Sequence, residues 1–223
     1  MNMVYYFPRA DFCTGIIFLR VVIMKSKKVN LRKIVVTAIM AAIAAVLIEF
    51  PSFPIPAIMP GFIKFDFSEL PALLTSFSLG PQWAIIVCLI KNLVSLLSTS
   101  TGGVGELSNF LLSCAFVVPA GLIYRKVKTR AGAFIGSLTG AIAMAGLGIL
   151  TNYFIVYPIY ANLMGGMGNI IKAYQVILPS ADTLVECLLI FNFPFTFVKG
   201  MVSVLITFLI YKKISPILKG KKI

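Results

Sequence analysis

The sequence predicts an all-α integral membrane protein with six transmembrane helices. Three observations predict it. Of its 223 residues, 59% are hydrophobic and 12% charged, and mean hydropathy is +0.98; a soluble domain is nearer half apolar and about a quarter charged. The apolar residues fall in runs near the length a bilayer demands, roughly 20 residues with about 17 as the lower limit. The basic residues gather in short clusters between those runs, as loops facing an anionic inner leaflet do.

The first span is 34–50. A Pro-rich stretch follows, with Pro51, Pro54 and Pro56 close together and Pro60 behind them, which forbids a continuous helix. This is the outer loop between helices 1 and 2. Asp66 and Glu69 then read as a helix start, Asp66 capping and Glu69 reaching back. That second helix is short and ends at Leu79, before Gly80 and Pro81. The third span is 82–98, closed by the Gly-rich 101–105. The fourth is 106–124, the fifth 131–160 and the sixth 183–211.

Charge orients these spans. Lys25, Lys27, Lys28, Arg32 and Lys33 precede the first. Arg125, Lys126, Lys128 and Arg130 separate the fourth from the fifth. Lys212, Lys213, Lys219, Lys221 and Lys222 follow the sixth. The loops of the other side hold Lys64 and Lys172. Both termini are therefore cytoplasmic (N-in/C-in), and an even span count requires the same. The organisation is an N-terminal segment over 1–29, a membrane domain over 30–215 and a basic tail over 216–223. The first 23 residues carry an apolar patch interrupted by Arg20, without a small-residue cleavage site, and make a poor signal peptide. Met24, just before the Lys cluster, would make a sensible start.

Several functions are excluded. The net charge of +13 would suggest nucleic acid in a soluble chain, but here it follows from the inner-face clusters, so no nucleic-acid partner is expected. The chain has no histidine, and its four cysteines (Cys13, Cys88, Cys114, Cys187) form no CxxC pair. No catalytic residue, metal site or cofactor is expected. It carries no GxxxxGK[ST] phosphate loop, so ATP hydrolysis by that route is not open to it.

Polar residues inside apolar spans are costly and usually face a cavity or a partner. Lys199 lies thirteen residues before Lys212, about 20 Å from the inner face, and Asn152 twenty-two residues past Arg130, about 33 Å up. Glu106 and Asn109 open the fourth span from outside, and Lys64 and Asp66 lie in the outer loop. All fall in the outer half, which reads as a pocket open to the outside. The alternatives are structural. Lys199 pairs with Glu186 or Glu106 to hold helices together, Asn152 makes an interhelical hydrogen bond, and Lys91 and Asn92 serve a structural or subunit-facing role. Phe62, Phe65 and Phe67 line the outer loop. Tyr153, Tyr157 and Tyr160 share one helical face, either as an interfacial belt or as walls for a flat aromatic ligand. Small residues recur every fourth position at Ala38/Ala42, Ala41/Ala45 and Gly132/Gly136/Gly140, where helices can approach closely.

These segments resemble a known family. The spans, the alanine ridge, the Pro-rich loop and KFDFSELP over 64–71 are similar to the S-components of energy-coupling factor (ECF) importers. GVGELSNF over 103–110, NYFIVYPIY over 152–160 and PFTFVKG over 194–200 resemble the riboflavin-specific branch. The resemblance implies a plasma-membrane subunit that binds its vitamin under the outer loop and has no ATPase of its own. It implies docking on a membrane scaffold subunit driven by two ABC-type ATPases, through Ala38, Ala41, Ala42 and Ala45. Riboflavin is then a transported ligand rather than a cofactor. The implied ligand set is Met59, Gly61, Phe62, Lys64, Phe65, Glu106, Asn109, Asn152, Tyr153, Tyr157, Thr196 and Lys199, with Asn152 and Lys199 as direct contacts. Position 196 departs from the pattern, where Asn is expected. Thr196 keeps a hydroxyl and loses the amide fork. Another vitamin such as pantothenate, a membrane enzyme built on Lys199 and Glu186, and a secondary transporter working alone are the competing readings; the last would show a repeat between halves, and none is evident.

Overall fold

In a computed structural model, the residues described are 31–61, 63–99 and 102–219. The N-terminal segment, Phe62, Cys13, Thr101 and the last four residues lie outside them. The chain divides into Met1–Ile34 and Val35–Ile223; the described part of the first unit is the opening turn of helix α1.

Helix α1 spans Leu31–Glu49. Thr37, Met40, Ala41, Ala44 and Ala45 are its buried residues, spaced three and four apart as one helical stripe. Ala38 and Ala42 are exposed. The four alanines expected to form one docking face are therefore divided, since Ala41 (1% exposed) and Ala45 (9%) belong to this chain's own core. Pro51 disfavours helix at Phe50 and ends the element. The Pro-rich segment is more ordered than its composition suggests. Strand β1 (Phe53–Pro54) pairs antiparallel with β2 (Lys64–Phe65), Phe53 opposite Phe65, and these two rings stack at 5.9 Å.

Helix α2 (Glu69–Ser78) has 10 residues, eight of them buried. At about 15 Å it is half the thickness of a hydrocarbon core of about 30 Å. Its start differs from the predicted capping. Ser68 is the N-cap and makes no side-chain cap bond. Asp66 instead accepts from the Ser68 amide (3.0 Å) and hydroxyl (2.6 Å), and Glu69 turns away to meet Lys91. Helix α3 (Pro81–Ser95) begins after Gly80, whose φ of 108° suits only glycine, and tightens into a 3-10 turn at Leu96–Ser98. Helix α4 covers Val104–Lys126. Helix α5 (Arg130–Thr151) is capped by Thr129, which accepts from the Gly132 amide at 3.0 Å.

The glycine ridge of α5 packs within the chain. A Cβ on Gly140 would sit 2.3 Å from the Phe116 carbonyl oxygen, and one on Gly136 2.8 Å from that of Ala120. After α5 the backbone widens into a π turn at Asn152–Val156, continued by α6 (Tyr157–Met164). Helix α7 is Met167–Gln175. Helix α8 (Leu184–Cys187) opens with a capping box formed by Thr183 and Glu186. A second π turn, Leu188–Asn192, leads into α9 (Phe193–Lys219). All six predicted segments are helical, and five helices among the described residues are long and apolar enough to cross a membrane; α2 alone is too short by that measure. Exposed Ile39, Ile43, Phe154, Leu205 and Leu209 suit contact with lipid tails.

Candidate functional site

The two π turns face one cavity. It measures about 210 Å³ and is enclosed by the outer hairpin, the start of α4, the end of α5 and the start of α9. Asn152 opens one π turn and Asn192 closes the other, and both line the cavity. Single-turn π segments widen a helix and recur at functional sites. Here they turn asparagine side chains inward from two largely apolar helices, the second of which adds Thr196 and Lys199 to the same cavity.

Most of the expected site converges. Met59, Lys64, Asn109, Asn152, Tyr157, Thr196 and Lys199 all line the cavity. Phe65 stands behind it, meeting the cavity-lining Phe195 edge-on at 6.0 Å and Phe67 at 5.4 Å. Glu106 lines an adjoining polar cleft of about 200 Å³, which shares Lys64, Asp66 and Asn109 with the first and also contains Glu49.

Two expected residues are elsewhere. Gly61 is exposed, with no atom within 4 Å of where a Cβ would stand. Tyr153 is 41% exposed, whereas Tyr157 is 1% exposed. The expected single face of Tyr153, Tyr157 and Tyr160 presumed 3.6 residues per turn. The π turn over Asn152–Val156 breaks that spacing, leaving Tyr153 outside and Tyr157 and Tyr160 in the cavity wall.

The partner of Lys199 is Asp66, at 2.6 Å. Neither predicted partner is used: Glu186 is engaged in its capping box, accepting from the Thr183 amide at 3.0 Å. The pair extends inward. Ser68 joins Asp66 to Lys91 (2.8 Å), and Lys91 is salt-bridged to Glu69 at 2.8 Å with both side chains fully buried. Ser113 closes the network on Glu69 at 2.7 Å. Alternating charges across three helices and the hairpin thus compensate one another. Burial raises the Asp66 carboxyl, but the Lys199 and Lys91 ammoniums outweigh it, and the group titrates below the usual carboxylate range. Lys91 serves a structural role, as expected for one of its readings.

Sequence reasoning missed Asn192, and it placed Asp66 in the outer-half polar group and as a helix cap but not as the partner of Lys199. Asn192 is 4% exposed. Its amide donates to the Tyr157 hydroxyl at 2.8 Å and accepts from the Tyr174 hydroxyl at 2.6 Å, and the two tyrosine hydroxyls bond each other. The signal was a lone Asn in an apolar run, seven residues or two turns before Lys199. With Lys199 neutralised by Asp66, the cavity offers amides, hydroxyls and aromatic edges around an internally compensated ion pair, with the exposed Lys64 as a further cation on its lining. It suits a largely uncharged ligand rich in donors and acceptors.

Comparison with known proteins agrees with this geometry. Residues 32–211 match the family described as "ECF transporter, substrate-specific component". The chain is 31% identical over 196 residues to a "Riboflavin transporter RibU" of Staphylococcus aureus, covering 86% of this chain and 97% of that protein. It is 28% identical over 190 residues to a "Riboflavin transporter FmnP" of Bacillus subtilis, covering 84% and 94%. A solved structure described as "Structure and mechanism of the S component of a bacterial ECF transporter" superposes with a TM-score of 0.64 at 30% identity, over 84% of this chain and 97% of that one. The chain belongs to the substrate-specific components of ECF transporters.

Proposed function

We propose that this chain is a high-affinity riboflavin-binding subunit of an ECF-type vitamin importer in the cell membrane. The observation that carries the reading is similarity to riboflavin transporters over 97% and 94% of their lengths. The cavity supports it. Riboflavin is flat and uncharged, with a carbonyl-rich ring edge and a polyhydroxyl tail. Lys199, Asn152 and Thr196 supply donors for the edge, Tyr157 and Phe195 supply walls, and the adjoining cleft with Glu106 and Asn109 offers polar room for the tail. Among the described residues no arginine lines either cavity, so the bidentate clamp favoured by a dianionic ligand is not found there.

The chain delivers its ligand inward by docking on a membrane scaffold subunit served by two ABC-type ATPases. Ala38 and Ala42, exposed on one face of α1, are the docking ridge; Ala41 and Ala45 support it from the core. Six crossings with both termini inside complete the reading. Five crossings would put the basic clusters before α1 and at the end of α9 on opposite sides, against the positive-inside rule. Helix α2 serves as the sixth because it is buried within the bundle and need not span lipid by itself.

The test is a calorimetric and fluorescence titration of the isolated chain in detergent, without ATP. One riboflavin bound per chain is expected. Absence of both heat and quenching would sink the proposal, and binding of pantothenate in its place would move the reading to another vitamin.

A further inference from the structure

The far end of α4 carries two more cavities. Fifteen residues separate Asn109, in the candidate site, from Tyr124, about 22 Å along the helix. The larger cavity, about 590 Å³, is walled by Phe77, Tyr124, Phe208 and Tyr211, with Lys128 and Arg130 among its lining residues. The smaller, about 500 Å³, shares Phe77, Tyr124 and Lys128 and adds Arg125. Arg125, Lys128 and Arg130 are exposed. No Asp or Glu occurs between Glu106 and Asp182 or after Glu186. The acids of α2 and α4, Glu69 and Glu106, stand at the opposite ends of those helices. The cations therefore have no carboxylate at their own end of the helices that bear the cavities.

A second observation is independent of charge. Thr207 lines the larger cavity and is 1% exposed, yet its hydroxyl has no hydrogen-bond partner; Ser78 in the smaller cavity is half-buried, and its hydroxyl likewise has none. Buried polar groups are almost always paired. Each of these hydroxyls lies beside an aromatic-walled space whose rim is cationic. An acceptor just below a phosphate is what both lack.

We propose that the two cavities form a binding site for one anionic phospholipid. Its phosphate rests on Lys128 between Arg125 and Arg130. Its acyl chains enter the two aromatic-walled cavities, and its ester carbonyls accept from the Thr207 and Ser78 hydroxyls. The shared rim at Lys128 fits one headgroup over two chains. On the orientation proposed above, these cations are themselves an inner-face basic cluster, where acidic lipids concentrate.

The test is native mass spectrometry of the full chain taken from bilayers of phosphatidylglycerol and phosphatidylcholine with identical acyl chains. One phosphatidylglycerol is expected to remain per chain, preferred over phosphatidylcholine by about tenfold or more. Lys128→Gln/Arg130→Gln should erase that preference while leaving thermal stability and titration of the outer cavity unchanged. Equal retention of the two lipids by the unaltered chain would overturn the proposal, as would undiminished phosphatidylglycerol in the double variant. Displacement by soluble glycerol phosphate would reduce the feature to a simple anion site and also overturn it. So would a double variant that keeps its lipid but loses the scaffold subunit, or a dimer found in place of the lipid adduct.

Discussion

Lys199 illustrates how one residue holds a fold and a site together. Its ammonium reaches Asp66 at 2.6 Å and ties the outer hairpin to α9. A second pair, Lys91 with Glu69, lies deeper and touches neither outer cavity wall as a lining residue. Removing one member of a buried pair strands the other and costs about 3–5 kcal/mol. Lys91→Met should therefore lower the unfolding midpoint sharply while the folded fraction binds riboflavin normally. Lys199→Ala should weaken binding by about 1.5–3 kcal/mol, the worth of a charged hydrogen bond, or about ten- to a hundredfold. The double variant Asp66→Asn/Lys199→Gln separates the roles. Stability should recover, because no charge is left unpaired, while affinity stays low. If affinity recovers as well, Lys199 is structural and contacts no ligand.

At the scale of elements, α1 presents two alanine faces with opposite fates. Ala41 is buried against this chain, whereas Ala42, one residue on, is exposed. Leucine at position 41 overpacks the core and should destabilise by about 1–3 kcal/mol. Ala42→Leu should leave stability and riboflavin affinity within about twofold and abolish co-purification with the scaffold and ATP-driven uptake, because close helix approach needs small residues. Normal uptake by Ala42→Leu would remove the docking role from this face. The π turns make a related point. Each inserts extra width where an asparagine must face inward, at Asn152 and Asn192, so the two helices can be apolar along their length and polar at the cavity.

Across the whole molecule, charge is segregated by end. The acids among the described residues stand at the hairpin, the starts of α2, α4 and α8 and the end of α1, while Arg125, Lys126, Lys128 and Arg130 join α4 to α5. The proposed six-crossing orientation puts that basic end at the anionic inner leaflet. In a chain with its native cysteines replaced, Gly61→Cys should react with an impermeant thiol reagent added to intact cells. Lys126→Cys should react only after permeabilisation. Both positions are exposed, so the contrast reports sidedness rather than burial. Labelling of both from outside would break the six-crossing topology.

Class was legible in the sequence because it depends on additive quantities: apolar length, charge and their order along the chain. The depth argument placed Lys199 and Asn152 in the same half as Asn109 and Lys64 without coordinates, since rise per residue in a helix is nearly constant. Pairing and facing were decided only by the tertiary structure. Asp66 is far from Lys199 in sequence, so nothing local could choose it over Glu106 or Glu186. The outward turn of Tyr153 follows from a π segment that no 3.6-residue pattern anticipates. The division of Ala41 from Ala42 depends on which neighbours fill one side of α1. Composition and periodicity report what each segment tolerates, whereas contacts between distant segments select which tolerated arrangement is occupied.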